Sequence, residues 1–266
     1  MNDRRRPLPV PQTFPSHPAV CIEPLEAREL LAVVVTVTQR GRLNIFAPPG
    51  DTAGDVVEVV PANGFRDLQV YVNGVLAPLR PNADQPDIVN RIKIHRIVAD
   101  MGAGDDEVYI GVRKGTPRPF RNRLFNKATL IGGDGNDILQ GGPQVDLIIG
   151  GAGDDIIYGD RGNDVIFAGS GNDQVFGENG RDIILGQDGN DFLHGGGNQD
   201  AVYGMAGADA VFGDEDRDFV NAGGDPGDTH DRNERPGSGE TKDVKEYVRK
   251  LILLAVPDQY QAAASS

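Results

Sequence analysis

Residues 132–221 repeat with a period of nine, and this period constrains the fold more than any other feature of the chain. Ten units follow one another without insertion or deletion. They read GGDGNDILQ, GGPQVDLII, GGAGDDIIY, GDRGNDVIF, AGSGNDQVF, GENGRDIIL, GQDGNDFLH, GGGNQDAVY, GMAGADAVF and GDEDRDFVN. A short fixed period predicts stacked supersecondary units, each of which buries its apolar face against its neighbours.

Three positions of the unit are nearly constant along the chain. The first is Gly except at Ala168, the sixth is always Asp, and the eighth is always aliphatic. Glycines at the first and fourth positions permit φ > 0, so six residues can form a tight turn. The last three residues form a short strand whose middle side chain points inward. Two units therefore close one coil, and five coils stacked at about 4.8 Å make a column roughly 24 Å long.

Stacking places the Asp side chains of alternate units over one another. Asp137 lies over Asp155 on one edge, and Asp146 lies over Asp164 on the other. Like charges at this separation are destabilising unless a cation lies between them. Calcium takes about 6–8 oxygen ligands, which carboxylates and turn carbonyls can supply. The pattern therefore predicts calcium between consecutive turns, whereas the alternative is a calcium-independent β-solenoid.

The excess negative charge of the chain lies in the repeats. Residues 132–221 contain 18 acidic and 3 basic side chains, a net charge of -15, against -14 for the whole chain. Such a block repels nucleic acid and anionic membranes, so neither is an expected partner. The charge suits a cation instead.

The unit resembles the GGxGxDxUx consensus of the RTX (repeats-in-toxin, haemolysin-type) calcium-binding family. The resemblance implies a parallel β-roll in which carbonyls at the second and fourth positions join the Asp as calcium ligands. On the odd-numbered repeats it implies the ligands Gly133, Gly135, Asp137, Gly151, Gly153, Asp155, Gly169, Gly171, Asp173, Gln187, Gly189, Asp191, Met205, Gly207 and Asp209. On the even-numbered repeats it implies Asp146, Asp164, Asp182, Asp200 and Asp218.

The two edges differ in composition. The odd turns all keep the fourth-position Gly, whereas three even turns replace it with Gln144, Asn198 or Asp216. Three even turns also carry an arginine, and these are Arg161, Arg181 and Arg217. We therefore expect about four calcium ions on the odd edge and fewer or weaker ones on the even edge, where Arg partly replaces the metal charge.

The outward positions of the even strands form an apolar stripe. Its members are Leu147, Ile149, Val165, Phe167, Ile183, Leu185 and Tyr203. A stripe this apolar does not face water bare, so we expect a protein or a surface to cover it.

The rest of the chain divides into three segments. Residues 1–32 are proline-rich and predicted to be a disordered or targeting segment. Residues 33–130 are predicted to be a β-rich extension with a basic insert at 113–127, which either folds back on the acidic block or forms a solvated loop. Within it, Met101–Tyr109 reads as an out-of-phase repeat, which predicts that this region continues the solenoid. The roll spans 131–224.

Residues 225–266 are predicted to be a polar linker followed by an amphipathic helix from Thr241. In this linker, Asp225 and Asp228 resemble a fading eleventh turn. The helix is either a cap over the roll or its apolar stripe, or a C-terminal signal for one-step export, which relatives of the repeat family often have. At the other terminus, Leu25–Leu31 resembles a segment of large secreted bacterial surface proteins. Cys21 is either a lipid-anchor site or a bystander thiol.

The sequence contains neither H-E-x-x-H nor G-x-S-x-G, and its four histidines are scattered. It also lacks the ~18 consecutive apolar residues of a transmembrane helix. We therefore predict an all-β, non-enzymatic, secreted or cell-surface bacterial protein that binds calcium through a parallel β-roll. The alternatives are a secreted enzyme or toxin fragment with an unrecognised N-terminal active site, and an intracellular calcium buffer.

Overall fold

A computed structural model describes residues 33–38, 41–61, 68–77, 94–111, 126–227, 229–230 and 235–236. The regular structure of these residues consists of strands in two ten-stranded sheets. None of the described residues forms a helix long and apolar enough to span a bilayer. The predicted C-terminal helix, the segment 1–32 and most of the basic insert lie outside the described residues.

The first sheet receives the strands of the even repeats and is called the even sheet. Its strands are β1 (Val34–Val37), β2 (Arg42–Phe46), β6 (Arg96–Ala103), β8 (Lys127–Asp134), β10 (Leu147–Ala152), β12 (Val165–Ser170), β14 (Ile183–Asp188), β16 (Ala201–Ala206), β18 (Phe219–Asn221) and β20 (Arg235–Pro236), paired in that order. Only β1 runs antiparallel to its neighbour.

The second sheet, the odd sheet, receives the strands of the odd repeats. From one side to the other its strands are β19 (Thr229–His230), β17 (Ala210–Asp214), β15 (Phe192–Gly197), β13 (Gln174–Asn179), β11 (Ile156–Tyr158), β9 (Ile138–Gln140), β7 (Glu107–Ile110), β3 (Val56–Pro61), β4 (Leu68–Val72) and β5 (Val75–Leu76). The strands from β19 to β3 are parallel, and β4 and β5 complete an antiparallel edge.

Consecutive repeats alternate between the sheets, so each residue pairs with the residue 18 positions away. Ile148 pairs with Ile166, and Leu193 pairs with Val211. The predicted two-unit coil is therefore confirmed. Several strands are six residues long rather than the predicted three, because pairing continues into the next unit, as at Gly151 with Gly169.

The core is a column of eighth-position side chains, as the alternation of strand side chains predicts. All are at most 2% exposed: Leu139, Ile148, Ile157, Ile166, Val175, Ile184, Leu193, Val202, Val211 and Val220. They belong to one continuous cluster with Leu43, Val57 and Ile97 of the preceding strands. The N-terminal β region therefore continues the solenoid, as the repeat-like Met101–Tyr109 indicated.

The described residues between 33 and 111 are β-rich, as predicted, and form the strands β1 to β7. One boundary of the basic insert needs correction, because Lys127 is the first residue of β8 and pairs with Arg96. At the other end, a Cβ on Gly223 would overlap the carbonyl oxygen of Met205, and β19 pairs with β17. Residues 222–227 therefore stack on the turn of the ninth unit as the predicted eleventh turn.

The apolar stripe of the even sheet is buried within the chain. Leu147, Phe167, Leu185 and Tyr203 are between 3% and 8% exposed. Ile149, Val165 and Ile183 pack against them and are half-buried. The stripe residues thus pack against one another along the even sheet, and a protein or surface partner for the stripe stays a prediction.

Candidate calcium sites between stacked turns

The sixth-position Asp residues form two hydrogen-bonded ladders along the edges of the roll. On the odd edge, the Asp137 amide donates to Asp155 Oδ1 at 2.8 Å, and the same bond joins Asp155 to Asp173 at 2.8 Å. The bonds from Asp173 to Asp191 and from Asp191 to Asp209 are 2.9 Å long. On the even edge, four such bonds of 2.8 Å connect Asp146, Asp164, Asp182, Asp200 and Asp218. The structure therefore gathers every predicted sixth-position Asp into a ladder.

Each bond uses one carboxylate oxygen and leaves the other buried in the turn. Oδ2 is buried without a hydrogen-bond partner in Asp137, Asp155, Asp164, Asp173, Asp182, Asp191, Asp200 and Asp218. A buried, unsatisfied carboxylate oxygen is costly unless a cation compensates it. Each of these turns is therefore built for a positively charged ligand.

Main-chain carbonyl oxygens lie close to the same Asp Oδ2 atoms. A Cβ added to Gly159 would lie 2.8 Å from Asp164 Oδ2 and 2.7 Å from the Gly177 carbonyl oxygen of the next coil. At Gly195 the corresponding distances are 2.7 Å to Asp200 Oδ2 and 2.9 Å to the Gly213 carbonyl oxygen. The first position of these turns thus lies close to both a carboxylate oxygen and a main-chain oxygen.

The second- and fourth-position carbonyls point from one turn toward the next. A Cβ on Gly151 would overlap the Gly133 carbonyl oxygen, and one on Gly153 would overlap that of Gly135. Both residues have φ of +129°, which L side chains rarely adopt. Gln187 and Met205 keep a left-handed backbone at the second position, with φ of +83° and +82°. Every carbonyl predicted as an odd-edge ligand therefore belongs to a left-handed turn position.

Burial raises the pKa of the ladder carboxylates. The pKa is about 8 for Asp155 and about 9 for Asp164, and neighbouring ladder carboxylates add to the effect of burial. For Asp173 it is about 6. The hydrogen bond from the preceding Asp amide opposes the shift in each case. An ionised ladder is therefore unfavourable without a cation.

The donor set fits a hard divalent cation. Among the described residues, no three Asp, Glu, His or Cys side chains cluster around a metal position, so carboxylates alone do not build a site. The buried oxygens available are those of one carboxylate per turn and the carbonyls of the glycine-rich positions. Calcium accepts such mixed, irregular oxygen donors, whereas magnesium demands near-octahedral geometry.

The first even turn differs from the others in the hydrogen bonds that Asp146 accepts. Its Oδ2 accepts a hydrogen bond of 2.7 Å from the Gly142 amide, and its Oδ1 accepts one of 2.6 Å from the Ala128 amide. Gly142 and Gln144 do not adopt the left-handed backbone of most other second and fourth positions. Both carboxylate oxygens are therefore satisfied by the protein, and Asp146 does not present the oxygen that the other turns offer.

The remaining even turns are more regular than their composition indicated. Asn198 and Asp216 keep left-handed φ values of +80° and +75° at the fourth position, so the loss of Gly there does not change the turn. Arg161, Arg181 and Arg217 are exposed, while the Asp residues of their turns are buried. The arginines thus lie on the surface rather than among the buried carboxylates. Whether the even edge binds calcium more weakly stays a prediction.

Stacked left-handed turns with buried carboxylates between two parallel sheets define a calcium-type parallel β-roll. Residues 131–166, 167–202 and 194–226 match the family described as RTX calcium-binding nonapeptide repeat (4 copies). The segment 131–226 therefore consists of RTX repeats. Neither the curated proteins nor the solved structures contain a match.

Sequence reasoning missed two features near these sites. Asp55 and Asp106, outside the ten repeats, are buried in the same way as the ladder residues. The signal for Asp106 was present in the repeat-like Met101–Tyr109, whereas Asp55 lies in a loop without the motif. The other missed feature is an aromatic face on the odd sheet, whose signal is the ring at the ninth position of four odd repeats.

We expect the substitution Asp173→Asn to lower the number of bound calcium ions by at least one per chain, and Asp146→Asn to leave it unchanged. The reason is that Asp173 Oδ2 is unpartnered, whereas Asp146 Oδ2 already accepts the Gly142 amide. Isothermal titration calorimetry of both full-length variants measures the difference. Equal losses in the two variants would contradict this assignment.

Proposed function

We propose that the chain is an extracellular calcium-binding protein of the bacterial surface or medium, without catalytic activity, whose repeats form a calcium-stabilised structural or adhesive module. The observation that carries the proposal is the row of buried, unpartnered carboxylate oxygens in a segment that matches calcium-binding repeats. A metal that binds only the folded state adds its binding free energy to folding. Calcium thus acts here as a structural element.

The setting follows from the expected affinity. Extracellular calcium modules bind in the range of about 10⁻⁴–10⁻³ M, and cytosolic buffers bind far more tightly. Many oxygens around these sites are neutral main-chain carbonyls, and each turn offers one buried carboxylate. The small number of charged ligands per site supports the weaker, extracellular range of calcium affinity. This range suits a protein that binds calcium after export.

The adhesive part of the proposal is supported by the odd sheet. Tyr158, Phe176, His194 and Phe212 form a row of stacked rings, with successive centroids 5.2, 5.5 and 4.8 Å apart. Phe192 lies beside them and is 41% exposed. His194 Nδ1 is 2.8 Å from Asp214 Oδ2 at the rim of this row. An adhesive contact would use this aromatic face, because the even stripe is already buried.

A calcium titration of the metal-free chain, followed by circular dichroism, tests the proposal. We expect β structure to appear with a midpoint of about 10⁻⁴–10⁻³ M calcium. Magnesium at the same concentrations is the control and should not replace calcium. A midpoint near or below micromolar calcium would contradict the extracellular role and favour an intracellular buffer.

A further inference from the structure

The odd Asp ladder continues beyond the ten repeats. Asp106 is 1% exposed, and its amide donates to Asp137 Oδ1 at 2.8 Å. The Asp55 amide in turn donates to Asp106 Oδ1 at 2.7 Å. These bonds are the same as those between the repeats, although 31 residues rather than 18 separate Asp106 from Asp137. Asp106 therefore takes the sixth position of a turn formed by Met101–Asp106.

The backbone of this turn matches the repeats in register. Gly102 pairs with Gly133, and Gly102 and Gly104 have φ of +85° and +132°. A Cβ on Gly133 would overlap the Gly102 carbonyl oxygen, and one on Gly135 would overlap that of Gly104. Both carbonyls therefore point into the gap between this turn and the first repeat.

A buried carboxylate oxygen in each of the two turns has no hydrogen-bond partner. Asp106 Oδ2 accepts no hydrogen bond, and neither does Asp137 Oδ2. Met101 stands where most repeats have Gly, but Ala168 also places a Cβ there. In that repeat Asp173 keeps its ladder bond and its unpartnered Oδ2. A side chain at the first position thus does not remove the carboxylate from the turn.

We propose that calcium binds between the turn Met101–Asp106 and the turn Gly132–Asp137, outside the segment that matches the repeat family. The carbonyl oxygens of Gly102 and Gly104 and the carboxylates of Asp106 and Asp137 are its protein ligands. The inference rests on the proposed function, since it assigns one more site to the same ladder. Its consequence is that calcium joins β6 and β7 to the repeats, from which residues 112–125 separate them in the sequence.

The ladder ends one turn further toward the N-terminus. Asp55 Oδ1 accepts a hydrogen bond of 2.6 Å from the Asn73 side-chain amide, and Asn73 Oδ1 accepts one of 2.8 Å from the Val56 amide. The side-chain amide of Asn73 thus takes the place of the main-chain amide that a further coil would donate to Asp55 Oδ1. The loop 47–55 is longer than a six-residue turn and contains Pro48 and Pro49, so we assign no ion to it.

The test compares Asp106→Asn with Asp105→Asn in the full chain by titration calorimetry with calcium chloride. The asparagine introduced by Asp106→Asn can still accept the Asp55 amide, but it removes the charge at Oδ2. Asp105 is the matched control, because it is adjacent, exposed and changes the same charge. We expect Asp106→Asn to bind one calcium ion fewer than the wild type, and Asp105→Asn to bind the wild-type number.

Equal stoichiometry in Asp106→Asn and wild type would overturn the inference, and so would an equal loss in Asp105→Asn. A wild type that binds no calcium would instead overturn the proposed function. Hydrogen exchange of the wild type gives a readout that does not depend on variant folding. We expect calcium to protect the amides of residues 101–106 together with those of 132–137. Protection of the repeats alone would also overturn the inference.

Discussion

Removal of calcium at about pH 8 should convert residues 126–227 from an ordered roll to an expanded chain. Residues 132–221 carry 18 acidic and 3 basic side chains, and their ladder carboxylates are buried in two rows. Without a cation, folding must bury ionised carboxylates next to one another, and burial disfavours the charged form of each. Because a folded domain typically has a marginal stability of only about 5–15 kcal/mol, two rows of such carboxylates strongly oppose folding.

The measurement is far-ultraviolet circular dichroism of the full chain before and after chelation, with calcium added back in excess. We expect loss of the β signal on chelation and its full return with calcium. The same titration with magnesium in place of calcium is the control for a general effect of divalent charge. A spectrum unchanged by chelation would contradict calcium-coupled folding and would favour the calcium-independent β-solenoid.

In the absence of calcium, acid should restore the roll. The pKa values of the ladder carboxylates are raised in the folded state, to about 7 for Asp137, about 8 for Asp200 and about 9 for Asp164. A group whose folded pKa is raised stabilises the fold when it is protonated. This stability is fully present below the unfolded pKa of about 4 and is lost as pH rises through about 7–9. The metal-free chain should therefore be more ordered at about pH 5 than at about pH 8.

Thermal unfolding of the metal-free chain across this pH range tests the expectation. The calcium-saturated chain is the control, and its dependence should be reversed because protons compete with calcium for the same carboxylates. A metal-free chain that gains no order on acidification would show that repulsion within the ladders is not what opposes folding. A rise in the unfolding temperature of the metal-free chain as the pH falls would support the expectation.

The period of nine was enough to predict the roll, because each constant position has one physical role. Aliphatic eighth positions must point inward, and Asp residues 18 positions apart must stack once two units close a coil. These contacts depend only on spacing within the repeat. For the same reason the sequence predicted the pairing of Ile148 with Ile166 and the ladder from Asp137 to Asp209.

The features that escaped prediction depend on contacts that spacing does not encode. Asp106 joins the ladder across an interruption of the period, so only its local motif could indicate it. Asp146 has the repeat's Asp, but Pro143 and Gln144 accompany a different turn in which Gly142 satisfies the carboxylate. Asn198 and Asp216 adopt the left-handed backbone that composition assigned to Gly. Such changes in hydrogen-bond partner and backbone conformation can be recognised only from the structure.

Anomalous diffraction from calcium-loaded crystals of the full chain tests the central claim most directly. We predict peaks between consecutive turns of the odd edge, at about 2.3–2.6 Å from the second- and fourth-position carbonyl oxygens and the Asp Oδ2 atoms. The turn Gly141–Asp146 should lack such a contact to Asp146. Calcium peaks confined to surface carboxylates, with none between the stacked turns, would contradict the account.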